Sequence, residues 1–183
     1  MSKIKTLTGI DFDYENPTVE MFNIKDIAYG LANEKRYVNQ TNPLFSVGQH
    51  SIFVSHLLYV DSSSDNINAL AGLFHDASEV YLKDIASPLK YMPEMEGYRV
   101  IENKIQGLAY QFAGLNEALI DVARLHKMDL LARAYEKLFL KGEWVEGFKP
   151  EANLVKLFKT ILKWAPLETE IEFIAEFLVL KTD

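Results

Sequence analysis

The chain holds four histidines, His50, His56, His75 and His126, and no cysteine. His75 is followed directly by Asp76 inside the stretch Leu70 to Asp84, LAGLFHDASEVYLKD, where an apolar run gives way to an acidic one. Imidazole and carboxylate together suit divalent cations that prefer nitrogen and oxygen ligands. With thiols absent, disulfides, thiolate catalysis and Cys-ligated zinc or iron-sulfur centres are excluded, so any metal is held by His and carboxylate. Read as one helix, Leu70 to Asp84 places His75 and Glu79 four residues apart on one face, with Asp76 beside them.

Other elements must bring partners to that stretch. Residues 1 to 22 mix aromatics with Asp, Asn and Pro and read as an extended or hairpin-like lead-in. Asn23 caps a first helix to about Asn33, with Ile24, Ile27, Ala28 and Leu31 as its apolar stripe. Glu34 to Phe45 reads as a surface loop around Pro43. Ser46 and Gln49 have the spacing of a capping box and open a helix through VGQHSIFVSHLLYV, with His50 near its start. The run DSSSDN from Asp61 breaks that helix, and Asp65 or Asn66 caps the next one, which carries His75. Two prolines in IASPLKYMPEM predict an irregular segment close to His75. A helix from about Glu94 to Phe112 closes at Gly114, and another runs from Asn116 to about Leu140. A loop at Gly142, Gly147 and Pro150 precedes an amphipathic tail. The fold class is all-α, with six or more helices and no internal repeat.

His50 begins one helix and His75 ends another, so antiparallel packing of the two brings them together. Asp129 lies on an otherwise apolar face with Leu125, Met128 and Ala132. A carboxylate there needs a partner, because an unpaired buried charge is costly. A metal would satisfy it; the alternative is a solvated charge paired with Lys127 or Arg133. Two imidazoles and two carboxylates leave room for water and a substrate oxygen, which suits Mn, Co, Fe, Ni, Mg or a distorted Zn site. Such an ion lowers the pKa of bound water and polarises a phosphoryl oxygen, which is hydrolytic chemistry.

At 183 residues the chain is the size of one domain, 1 to 183. A formal charge of −7 argues against a broad basic surface for long nucleic acid. It leaves small anions open, since a metal and one or two basic residues invert a local field. No apolar run approaches the roughly 18 residues of a membrane span, and the start lacks a signal-peptide core. The expectation is a cytoplasmic protein without a membrane partner.

The order His50, His75-Asp76, Asp129 resembles the HD-domain metal-dependent phosphohydrolases, whose signature is H, then HD, then D on separate helices. HDASEVYLKDIASPLKY and KRYVNQTNPLFSVGQHS look like segments of HD-type 5'-deoxynucleotidases. From TLTGIDFDYENP to about Asp129 the chain also resembles small phage and prophage HD hydrolases, a group that includes dATP triphosphohydrolases.

The resemblance implies an HD-domain helical bundle in which His50, His75, Asp76 and Asp129 hold one divalent metal. It places Arg36 on substrate phosphate, which a guanidinium fork suits. Glu79 and Asp84 fall near the attacking water and the substrate, and Glu79 could act as general acid or base. Lys90 is a candidate for phosphate contact or a solvated lysine. Tyr37 stands where some deoxynucleotidases carry a Trp that helps exclude the ribose 2'-hydroxyl, which leaves deoxy-selectivity less defined than hydrolysis. His56 points elsewhere on its helix; His126, three before Asp129, can geometrically reach the site, but the motif does not require it.

The implied activity is hydrolysis of deoxynucleotide phosphates, as a purine dNTP triphosphohydrolase or a dNMP 5'-nucleotidase, in the host cytoplasm if the protein is phage-encoded. The alternatives are a phosphodiesterase on a cyclic or signalling nucleotide and a non-catalytic nucleotide-binding module. A homo-oligomer is expected, with Phe173, Ile174, Phe177 and Leu178 available either to the core or to a subunit interface.

Overall fold

The computed structural model describes residues 2–61 and 65–181. The lead-in is a short antiparallel hairpin, β1 (Lys3–Lys5) and β2 (Asp11–Asp13), with Ile4 opposite Phe12. Phe12 is fully buried and stacks on Tyr81, so the hairpin is fastened to the body by its one inward aromatic. Among the described residues, the elements after it are helices joined by loops, and the fold is all-α.

Helix α1 (Ile24–Asn33) starts at Asn23, whose side chain accepts from the Lys25 amide. Helix α2 (Val47–Asp61) opens with the reciprocal capping box. The Gln49 amide donates to Ser46 Oγ at 3.1 Å, and the Ser46 amide donates to Gln49 Oε1 at 2.8 Å. Almost every residue of α2 from Val47 to Leu58 is buried, as expected of a helix that is apolar on all sides and sits at the centre of a bundle. Of the expected break at DSSSDN, Ser62 to Ser64 lie outside the described residues; Asp65 caps α3 (Asn66–Phe74) by accepting from the Asn68 amide.

The structure corrects the reading of Leu70 to Asp84 as one helix. Helix α3 stops at Phe74, residues 75–78 form turns, and a short helix α4 (Glu79–Leu82) follows. The break has a tertiary cause: His75 and Asp76 are drawn into polar contacts, and the Ser78 amide and Phe74 carbonyl bond the side chain of Gln106, far along the chain. The proline-rich segment forms α5 (Ser87–Lys90) and a 3₁₀ turn at Pro93–Met95, before α6 (Glu96–Ala113) ends at Gly114 with φ of 84°, a left-handed cap.

The helix expected from Asn116 to Leu140 is interrupted. A 3₁₀ turn (Glu117–Leu119) comes first, then Asp121 caps α7 (Val122–Glu136), which runs into a π-helical turn (Lys137–Lys141). Helices α8 (Ala152–Ile161) and α9 (Pro166–Lys181) complete the chain. Phe173 and Phe177 of α9 are core residues, whereas Leu178 is exposed.

Helix α2 packs on α3 and on α7, and α1 packs on α9. The α2 to α3 contact is close because Gly72 has no side chain; a Cβ there would lie 2.5 Å from Leu58 Cδ1 and 3.2 Å from Ser55 Cα. That approach sets the spacing of His50 from His75.

Candidate metal centre

Three elements converge near the start of α2. His50 comes from its first turn, His75 and Asp76 from the turn after α3, and Asp129 and Glu136 from the inner face of α7. His50 is fully buried. His75 Nε2 lies 3.2 Å from His50 Nε2 and 3.2 Å from Asp76 Oδ2. Asp129 Oδ1 lies 3.2 Å from His50 Nε2.

The second nitrogen of each ring fixes what the first can do. His75 Nδ1 lies 2.7 Å from the Gly72 carbonyl oxygen, which only accepts, so Nδ1 carries the proton. His50 Nδ1 lies 2.5 Å from Glu136 Oε1, and Arg36 and His50 hold that carboxylate ionised, down at about 2 against the opposing effect of burial. His50 Nδ1 is therefore the donor as well. When both rings are neutral, their Nε2 atoms present bare lone pairs to one another, with carboxylate oxygens beside them. Such a cluster of acceptors suits a cation at its centre, whether a proton or a metal ion. His50, His75 and Asp76 each offer a ligand atom within 4.8 Å of the others, the span of one coordination shell, so the residues fit a metal ion.

Asp129 differs from the expectation in one respect. The need of its buried carboxylate for a partner is already met by Arg133, whose Nε and Nη2 fork onto Oδ1 and Oδ2 at 3.0 and 2.5 Å. Its contact with His50 Nε2 places it at the cluster all the same, and its charge already has a partner in Arg133.

Arg36 is buried, although its loop reads in sequence as a surface segment. Its Nε donates to Glu136 Oε2 at 3.1 Å and its Nη1 to Asp76 Oδ2 at 3.4 Å. Burial opposes its charge, but Glu136, Asp76, Asp84 and Glu79 more than offset that and hold it firmly protonated. Tyr37 donates its hydroxyl to Glu136 Oε2 at 2.6 Å. Tyr37, Val38 and Asn39 all have φ between 53° and 60°, the left-handed region that non-glycine residues rarely occupy, so this loop is strained where it delivers Tyr37.

A cavity of about 660 Å³ opens beside the cluster, lined by Arg36, Tyr37, Asp76, Glu79, Asp84 and Lys90 among others. Glu79 is buried at its wall with Oε2 unpartnered. Burial first, then the charges of Asp76 and Asp84, push its carboxyl well above the usual range. Burial and Asp76 raise Asp84 too, with Arg36 opposing. Lys90 faces the cavity while its ammonium pairs with Glu102 at 2.7 Å. His126 also lines the cavity from the exposed side of α7. His56 is elsewhere, beside Glu176 at 3.5 Å.

The residue that sequence reasoning missed is Glu136, fully buried and bonded to His50, Arg36 and Tyr37. Its signal was the spacing: Leu125, Asp129, Ala132 and Glu136 recur on one face of α7, and Glu136 is seven residues, two turns, beyond Asp129.

Fold and site thus define an all-α bundle with a His/Asp group able to hold a metal ion. The chain is 31% identical over 132 residues to the uncharacterized protein YfdR of Escherichia coli K12, covering 72% of this chain and 70% of YfdR. It is 31% identical over 157 residues to the uncharacterized protein RCAP_rcc00048 of Rhodobacter capsulatus, covering 84% of this chain and 78% of that protein. The chain belongs to the family of these two proteins. No family model matches it. Among the described residues, no helix is long and apolar enough to cross a membrane.

Proposed function

We propose that the protein is a divalent-metal-dependent phosphohydrolase of the HD-domain type, acting on deoxynucleotide phosphates as a dNTP triphosphohydrolase or a dNMP 5'-nucleotidase. The observation that carries this reading is the pair of imidazole Nε2 atoms facing each other at 3.2 Å among carboxylates, one of which, Asp76, also lines the cavity. His50, His75, Asp76 and Asp129 would hold the metal, which when bound supplies Lewis acidity and a water of lowered pKa.

The chain's own residues take the remaining work. Arg36 has Nε committed to Glu136 and presents the rest of its fork toward Asp76 and the cavity, where a phosphate oxygen meets fixed positive charge. Glu79, buried and with its carboxyl pushed up by burial and by Asp76 and Asp84, can give a proton to a leaving oxygen when protonated or take one from water when ionised. Lys90 adds cationic character along the cavity. A cavity of this size is in the range that takes a nucleotide-sized ligand. The resemblance to small phage and prophage HD hydrolases, a group that includes dATP triphosphohydrolases, favours a purine substrate such as dATP or dAMP.

The test is a panel of dNTPs, dNMPs, ribonucleotides and cyclic nucleotides, incubated with the full chain and Mn²⁺ or Co²⁺ and resolved for phosphate, triphosphate and nucleoside. Release of triphosphate marks the triphosphohydrolase, and release of phosphate from dNMP marks the nucleotidase. Turnover of cyclic nucleotides alone would replace the proposal with a phosphodiesterase. No turnover of any nucleotide in metal-replete protein removes the enzyme reading.

A further inference from the structure

We infer that Glu136 is a positioning residue that ties the substrate-facing loop to the metal ligands. Its two oxygens serve different arms of the site. Oε1 accepts from His50 Nδ1, and Oε2 accepts from Arg36 Nε and the Tyr37 hydroxyl. The carboxylate is fully buried between them, so each arm restricts the orientation that the other receives. Three donors converge on one acceptor-only group, and no other side-chain type of this length satisfies all three.

The consequence for His50 is its tautomer. An acceptor at Nδ1 keeps the proton there and leaves Nε2 bare toward His75 and Asp76. Replacing Glu136 by glutamine keeps the shape and splits the function. If the amide oxygen faces Arg36 and Tyr37, the NH₂ faces His50 and moves its proton to Nε2, which blocks that ligand atom. If the oxygen faces His50, the NH₂ opposes the Arg36 and Tyr37 donors and the loop loses its anchor. Tyr37 touches no ligand atom directly, yet through Oε2 it helps hold the carboxylate that sets His50. The loop that delivers Arg36 and Tyr37 to the cavity is thereby coupled to metal affinity.

This inference rests on the metal reading above, and its tests use the full chain without nucleotide, so a failure of hydrolysis and a failure here are separate results. Nitrogen-15 correlation spectra of the histidine rings, at a pH where both are neutral, are expected to show His50 protonated at Nδ1 and bare at Nε2. Titration with Mn²⁺ alone is expected to show affinity lowered about 10- to 100-fold in Glu136→Gln and lowered several-fold in Tyr37→Phe, a half-buried residue whose loss of one hydroxyl leaves the core intact. A wild-type His50 protonated at Nε2 overturns the proposal. So does unchanged Mn²⁺ affinity in Tyr37→Phe, or a folded Glu136→Gln with wild-type tautomer and affinity.

Discussion

Of the residues assigned to chemistry, those that carry ligand atoms were the most legible. His75-Asp76 stood out because two metal-competent side chains are adjacent at the end of an apolar run, and His50 because it starts a helix that must pack beside them. Asp129 was legible as a carboxylate on an apolar face, but its pairing with Arg133 four residues on shows that such a residue can be satisfied within its own helix. Glu136 was hidden because a buried glutamate near a helix end looks like a surface acid until its three donors are brought to it. In the proposed reaction, Glu79 is the residue whose role separates binding from turnover. Glu79→Gln keeps its volume and removes its proton chemistry, so kcat is expected to fall about 100-fold or more with Mn²⁺ affinity and KM near wild type. An unchanged kcat removes Glu79 from the reaction.

At the scale of elements, the capping box at Ser46 and Gln49 and the cap Asn23 were read correctly because capping is local chemistry, and of the two candidates Asp65 and Asn66 it is Asp65 that caps α3. The helix break at His75 was not, because it depends on Gln106 arriving from α6. The break at Ile120 before α7 likewise depends on the Asp121 amide donating to Asn68 Oδ1 of α3 at 2.8 Å. The α2 to α3 approach also carries a prediction. Gly72→Ala forces apart the helices that bear His50 and His75, and is expected to cost about 1 to 3 kcal/mol in denaturant unfolding together with weaker Mn²⁺ binding; wild-type stability and affinity would contradict that role for Gly72. On α9, burial pushes the Glu176 carboxyl up, with His56 only partly opposing. A raised folded-state pKa gives stability that is fully present below the unfolded carboxylate value and lost as pH rises through the folded one. Glu176→Gln lacks that loss, so its stability relative to wild type is expected to rise from acid to neutral pH, measured by chemical unfolding across the range. A difference that is flat or falls with pH contradicts the assignment.

For the molecule as a whole, the core runs from Phe12 of the hairpin to Leu180 of α9, and the site lies where α2, α3 and α7 meet. A cation held there links three helices, so its binding is also folding energy. With metal at about 100 times its Kd, the gain is about 2.7 kcal/mol, which raises Tm by roughly 5 to 10 °C for a chain of this size. Chelation is expected to reverse that shift, and His75→Ala to abolish it; a Tm indifferent to metal in the wild type would count against a site that bridges helices. The account as a whole stands most directly on where the ion sits. Crystals of the full chain soaked in Mn²⁺ and measured at its absorption edge are expected to show one anomalous peak bonded to His50 Nε2, His75 Nε2 and an Asp76 oxygen at about 2.0 to 2.2 Å. Full soaking with no peak at these residues, or with the peak elsewhere, would contradict it.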